Sequence, residues 1–153
     1  MLQVAQSTTG GPPFINSFME AISQTFEVGA PITFALATGA AEAAAAGPFL
    51  GFAAEAGHNY TVRDPNSKLL VIINTDDITM QSVMKGAQKT DTLVGDTYNL
   101  IKDATLGWIV DNTSQGAAGA AIITAIGPYS PSAQLQTVYF KLAASSRTPT
   151  GGA

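Results

Sequence analysis

One stretch constrains the fold more than any other. Lys68-Leu69-Leu70-Val71-Ile72-Ile73-Asn74 is the longest β-branched apolar run in the chain. Turn-forming residues bound it on both sides, Asp64-Pro65-Asn66 before it and Asn74-Thr75-Asp76-Asp77 after it. An unbroken apolar run of this length between turns predicts a strand buried on both faces, since an amphipathic helix would interrupt it with polar positions. It is too short to pack as a stable helix and far too short to cross a membrane.

The flanking sequence extends the same pattern. Ile32, Phe34 and Leu36 alternate after Pro31, which predicts a half-buried strand with the proline at its tolerated first position. Further short strands are expected at Phe49 to Ala54, Tyr60 to Val62, Ile78 to Met84, Tyr98 to Ile101, Trp108 to Val110, Ala120 to Ile126 and Thr137 to Leu142. Gly, Pro, Asn and Asp separate them, and Gly127-Pro128 is expected to end the penultimate strand. Many short strands at near-regular spacing predict a mainly β domain, a barrel or a sandwich. The tract Thr38 to Pro48 is Ala-rich, but glycine and proline confine it, so a surface loop or hairpin is expected there.

Both ends read differently. Residues 1–13 finish in Thr8-Thr9-Gly10-Gly11-Pro12-Pro13, a breaker-rich segment with no core of its own. Ile15, Phe18, Met19, Ile22 and Phe26 fit one face of a helix that Asn16 could cap; an extended segment is the competing reading, and both stay open. The expected organisation is an N-terminal arm over 1–23, a β-domain over 24–144 and a tail over 145–153. Ordering an arm costs about 1–2 kcal/mol of backbone entropy per residue, so its docking needs apolar burial or strand-edge contacts. Phe14, Ile15, Phe18 and Met19 are the residues suited to supply it.

Composition removes several function classes. A net charge of −4 argues against nucleic acid, which requires a basic footprint. The absence of cysteine excludes disulfides, thiolate metal sites and cysteine nucleophiles. Charged residues are only 12% of the chain, about half the usual share, so small polar residues or neighbouring subunits must cover its surface. No basic region followed by an apolar core opens the sequence, so no signal peptide is expected; without one, the triplets at Asn59 and Asn112 are discounted as glycosylation sites.

Catalytic motifs are missing. His58 is the only histidine and would have to serve any His-based acid–base pair; its setting, Gly57-His58-Asn59-Tyr60, reads as a structural turn. No nucleophile elbow, phosphate loop or interleaved calcium loop occurs. No catalytic residue, cofactor-binding residue or metal ligand is therefore assigned, and no cofactor is expected. Trp108, the only tryptophan, reads as a core or interface anchor before it reads as a sugar platform.

The order of segments carries a resemblance. Gln24-Thr25-Phe26-Glu27-Val28-Gly29-Ala30-Pro31-Ile32 is followed by Gly51-Phe52-Ala53-Ala54-Glu55-Ala56-Gly57-His58-Asn59. Then come Val94-Gly95-Asp96-Thr97-Tyr98-Asn99-Leu100, Gly107-Trp108-Ile109-Val110-Asp111 and Val138-Tyr139-Phe140. Over residues 24–142 this series resembles small virion structural proteins of tailed bacteriophages, in particular head decoration (cement) proteins. The resemblance implies a small β-barrel or β-tulip-like sandwich bound to the outside of the phage head; the extended N-terminal arm expected before it lies outside the stretch the resemblance covers. It further implies a homo-oligomer, a trimer by preference, that clamps major capsid protein subunits together. Such a protein would be made in the host cytoplasm, act in the virion without turnover, and bind neither nucleic acid nor membrane. Two other functions stay open. A carbohydrate- or host-surface-binding domain would stack sugars on Trp108, Tyr98, Tyr60 or Tyr129. A hydrolase would pair His58 with a carboxylate or serine brought near by the fold.

Overall fold

The computed structural model describes residues 2–7, 12–43, 48–73, 75, 77–115 and 120–146. The fold is mainly β and antiparallel. Its strands are β1 (Gln3–Ser7), β2 (Ile15–Met19), β3 (Pro31–Ala35), β4 (Gly39–Glu42), β5 (Gly51–Ala53) and β6 (Lys68–Ile72). They continue as β7 (Ile78–Lys85), β8 (Thr97–Tyr98), β9 (Leu100–Asp103), β10 (Gly107–Val110), β11 (Ala121–Ser130) and β12 (Leu135–Leu142). One sheet has the order β1-β7-β12-β11-β8 and a second has the order β2-β6-β5-β3-β4, while β9 and β10 form a separate hairpin.

The two large sheets share one core. Met80, Met84, Val138 and Phe140 from the first sheet join Ile32, Phe52, Leu69 and Val71 from the second. The Phe52 and Phe140 rings meet edge to face with centroids 6.5 Å apart, a favoured aromatic geometry. The β12 strand shows the cause of this arrangement most clearly. Its residues alternate between half-buried and buried from Leu135 to Leu142, so one face belongs wholly to the core.

The second sheet curls until its two edge strands touch. At the end of β2, Glu20 forms a parallel bridge with Ala40 of β4, and the Ala21 N–H donates to the Ala40 carbonyl at 2.8 Å. Gly39 makes the approach possible. Its φ is +97°, and a Cβ there would stand 2.6 Å from the Met19 carbonyl oxygen.

Several expectations are revised here. The run at 68–74 does form a strand, and Leu69, Val71 and Ile72 are buried. Leu70, however, faces outward, since it alternates with the buried Leu69 and Val71 along the strand, and its cross-strand neighbour on that face is the small Ser17. Of the expected arm over 1–23, the described residues do not stand apart from the sheets. β1 pairs with β7, β2 pairs with β6, and Leu2 is only 1% exposed. The helical alternative for 14–26 is not adopted, since pairing with the apolar β6 satisfies an extended backbone along Ile15–Met19. Tyr60 to Val62 is irregular, part of a long loop between β5 and β6. β11 runs through Gly127-Pro128 instead of stopping there. A register shift between Ile126 and Tyr129 takes the proline out of the ladder, and the Gln136 amide donates to the Gly127 carbonyl at 2.7 Å. The Ala-rich tract supplies β4, the second strand of a hairpin with β3; its residues 44–47 lie outside the described residues. Of the expected tail, Ser146 is buried and its carbonyl accepts from the Phe49 N–H at 2.8 Å, while 147–153 lie outside the described residues.

The burial of Leu2 makes the N-terminus part of the fold's stability. Leu2→Ala is expected to cost about 2–5 kcal/mol in a urea unfolding titration, the usual range for truncating a buried leucine. A free arm would leave the midpoint unchanged.

Candidate functional site

β2 carries the residues proposed to meet a partner, and the strand divides them. Phe14, just before it, is 62% exposed, and Ile15 is 48% exposed. Phe18 turns to the opposite face and packs against Phe34, with ring centroids 5.7 Å apart. Met19 is half-buried where the strand meets β4. Opposed residues of an antiparallel pair share a face, and the register sets Ile15 against Ile72 and Ser17 against Leu70. Leu70 is 41% exposed, so it extends the apolar surface begun by Ile15. Sequence reasoning missed Leu70, because nothing in an unbroken apolar run marks which member lies beside an edge strand.

The surface occupies a strand edge with little protection. β2 ends the order of its sheet and contains no charged residue. Natural edge strands are commonly guarded by an outward lysine, an inward charge, a bulge or a proline within the strand. Pro12 and Pro13 precede β2 but do not interrupt it.

His58 gains a partner that its sequence setting did not suggest. Its backbone N–H donates to Glu20 Oε1 at 2.8 Å, and its ring Nδ1 lies 2.6 Å from Glu20 Oε2. Glu20 is fully buried, so these contacts satisfy a carboxylate that water does not reach. The other ring nitrogen, Nε2, lies 3.7 Å from Glu55 Oε2. The hydroxyl of a nucleophilic triad would occupy that side of the ring, and here a second carboxylate faces it. The ring also stacks on Tyr60 at 5.0 Å. The left-handed residue of this turn is Asn59, with φ 54°, rather than His58. The pair thus pins the β5–β6 loop onto the seam where β2 meets β4. Arg63 pins the same loop further along, donating to the Leu36 and Ala37 carbonyls at 2.8 Å each.

Of the four aromatic side chains that could stack on a sugar, Trp108 and Tyr98 are buried and Tyr60 and Tyr129 are half-buried. Trp108 is 6% exposed and donates its indole N–H to Glu42 Oε1 at 2.8 Å; Tyr98 is buried as well. Glu42 also takes the Lys102 ammonium, at 2.7 Å to Oε1. Close by, the Lys85 ammonium hydrogen-bonds Asp103, and the Thr105 and Leu106 N–H groups donate to its Oδ1 at 2.9 and 3.0 Å. Together these hold the Asp103 carboxyl at about 2, below its ordinary 3.8, with the Lys85 bond the largest cause. A broader groove of about 840 Å³ crosses the first sheet, lined by Val4, Thr79, Gln81, Thr124 and Tyr139 among others. Among the described residues no group of three or more His, Asp or Glu side chains is placed to hold a metal ion. No helix of the described residues is long and apolar enough to cross a membrane.

Comparison with known proteins returns no matching family model, no matching curated protein and no matching solved structure.

Two measurements test this geometry. His58→Ala leaves Glu20 Oε2 unpaired inside the seam and is expected to cost about 1–3 kcal/mol in chemical denaturation, as loss of one partner of a buried polar group does. For Asp103, a lowered folded-state value means its stabilising contacts are complete above about pH 3.8 and disappear as the pH falls through about 2. Lys85→Ala is expected to move the Asp103 titration midpoint, followed by NMR, upward toward 3.8.

Proposed function

We propose that this chain is a non-enzymatic capsid decoration (cement) protein, one that binds the outer surface of a phage head and stabilises contacts between major capsid subunits. The observation that carries the proposal is the uncharged edge strand β2 with Phe14, Ile15 and Leu70 displayed beside it. An edge of this kind offers backbone hydrogen bonds and apolar contact together, the combination that β-strand addition uses. Full burial of each such side chain contributes about 1.5–3 kcal/mol, less for the part already covered. Contacts of that size bind weakly one at a time, but linked copies on a repeated lattice gain by avidity. A homo-oligomer, a trimer in the arrangement the resemblance implies, would supply the linkage. The low content of charge fits a surface that lies against neighbours, and the Nε2 side of His58 facing Glu55 fits a protein without turnover.

The test is binding to assembled capsid shells. Deleting residues 1–20 would remove β1 and β2 and so confuse unfolding with lost contact. Phe14→Ser with Ile15→Ser alters two exposed side chains and is expected to leave the unfolding midpoint in place. Shell binding in a sedimentation assay should weaken about tenfold or more, since every 1.4 kcal/mol is a factor of ten. Equal binding by the double variant, or no binding by the unaltered protein, overturns the proposal.

A further inference from the structure

His58 holds a buried acid from a position that water reaches. Its side chain is 35% exposed, whereas that of Glu20 is 0% exposed. A proton can therefore enter or leave the ring without the protein opening. The groups that face the ring come from three places. Glu20, at the end of β2, lies 2.6 Å from Nδ1, and Glu55, just after β5, has Oε2 3.7 Å from Nε2. Tyr60, on the same loop, stacks on the ring and gives its hydroxyl hydrogen to the Lys68 carbonyl. Glu55 is fixed in turn, since its Oε1 accepts from the Leu70 N–H at 2.8 Å. Nearby charges are engaged elsewhere: Glu42 of β4 holds Trp108 and Lys102, and Arg63 donates to the Leu36 and Ala37 carbonyls. Among the described residues, the ion pairs of Glu20 and Glu55 run to His58 and to no lysine or arginine.

We propose that His58 is a pH-sensitive latch on the β5–β6 loop, closed when the imidazole is charged and looser when it is neutral. The charged ring carries an N–H on both nitrogens, so one side chain bridges two carboxylates. An ionised carboxylate only accepts, so the neutral ring keeps its one N–H on Nδ1 for Glu20 and gives up the proton of Nε2. Two things then change together. The Glu20 bond becomes one from a neutral donor, and the buried negative charge loses its counter-charge. Nε2 also turns a lone pair toward the Glu55 carboxylate. Both changes loosen the loop at the seam between β2 and β4. The same loop carries Arg63, which braces the β3–β4 turn, so slackening it weakens that brace too. This latch is independent of the decoration reading.

His58 is the only histidine in the chain, so its ring signals in a nitrogen NMR spectrum are identified directly. The intact protein is followed across the ordinary histidine range, about pH 5 to 8. Both ring nitrogens should carry protons at the acid end, and Nδ1 alone at the other. Amide hydrogen exchange reads the loop in parallel, at the Ser23 and Asn59 N–H groups that donate to the Tyr60 and Gln24 carbonyls. Protection is referred to the unfolded-chain rate at each pH. It should fall about fivefold or more toward the alkaline end, the margin between a charged and a neutral hydrogen bond. Ala143, which donates to the Ala120 carbonyl away from the seam, should hold steady. His58→Gln should abolish the fall. Glu55→Gln, which leaves the Glu20 contact in place, should reduce it. Constant protection at Ser23 and Asn59, an equal fall at Ala143, an undiminished fall in either variant, or a neutral ring protonated on Nε2 overturns the proposal.

Discussion

The second sheet depends on what happens to Glu20. This residue ends β2, bridges to Ala40 of β4, and places a carboxylate where no water reaches it. A buried carboxylate is costly unless its oxygens are satisfied, and His58 satisfies both, one through its backbone and one through its ring. The seam and the β5–β6 loop are therefore coupled. Closing the sheet buries the acid, and burying the acid requires the loop to be in place. The backbone supplies further ties to the same segment, with Ser23 N–H on the Tyr60 carbonyl and Asn59 N–H on the Gln24 carbonyl, each at 2.8 Å. A long loop without regular structure is held in place by these polar contacts.

That closure decides what is left on the surface. With β2 drawn toward β4 at its C-terminal end, Phe18 turns inward to meet Phe34, and Met19 is half covered. The N-terminal end of β2 diverges, and Phe14 and Ile15 stay outside. Leu70 stays outside as well, alternating with the buried Leu69 and Val71 along β6. One strand thus contributes both to the core and to a candidate contact surface, divided along its length as much as by its faces. At the far end of β4, Glu42 is the acceptor that anchors Trp108 and Lys102.

Much of the fold was legible from local pattern, and particular failures show where that pattern stops. The strand at 68–72, the proline at the head of β3 and the alternation along β12 all follow from rules that act within a few residues. The N-terminal residues were misjudged because Thr8 to Pro13 is rich in breakers, while Leu2 is buried through contacts with distant parts of the chain. A Cβ on Gly29 would stand 2.1 Å from the Leu2 carbonyl oxygen, which shows how closely the two segments approach. Gly127-Pro128 looked like a strand end because the side chain that supports the bulge, Gln136, arrives from the neighbouring strand. For the candidate site, Phe14 and Ile15 were visible as apolar residues near a terminus. Leu70 was not, since it does not differ from its neighbours until pairing and burial are known.

By itself, the sequence determined that this chain builds antiparallel strands around an apolar core, because side-chain alternation and turn chemistry act over short spans. It also settled that no cysteine chemistry operates here and that any imidazole chemistry must pass through His58, because composition alone limits those choices. Tertiary structure decided that His58 holds Glu20, that Trp108 donates to Glu42, and that Phe14, Ile15 and Leu70 are left exposed. The members of these contacts are separated by as many as 66 positions along the chain. Only strand pairing and sheet closure bring them together, and neither is written in any local window of residues.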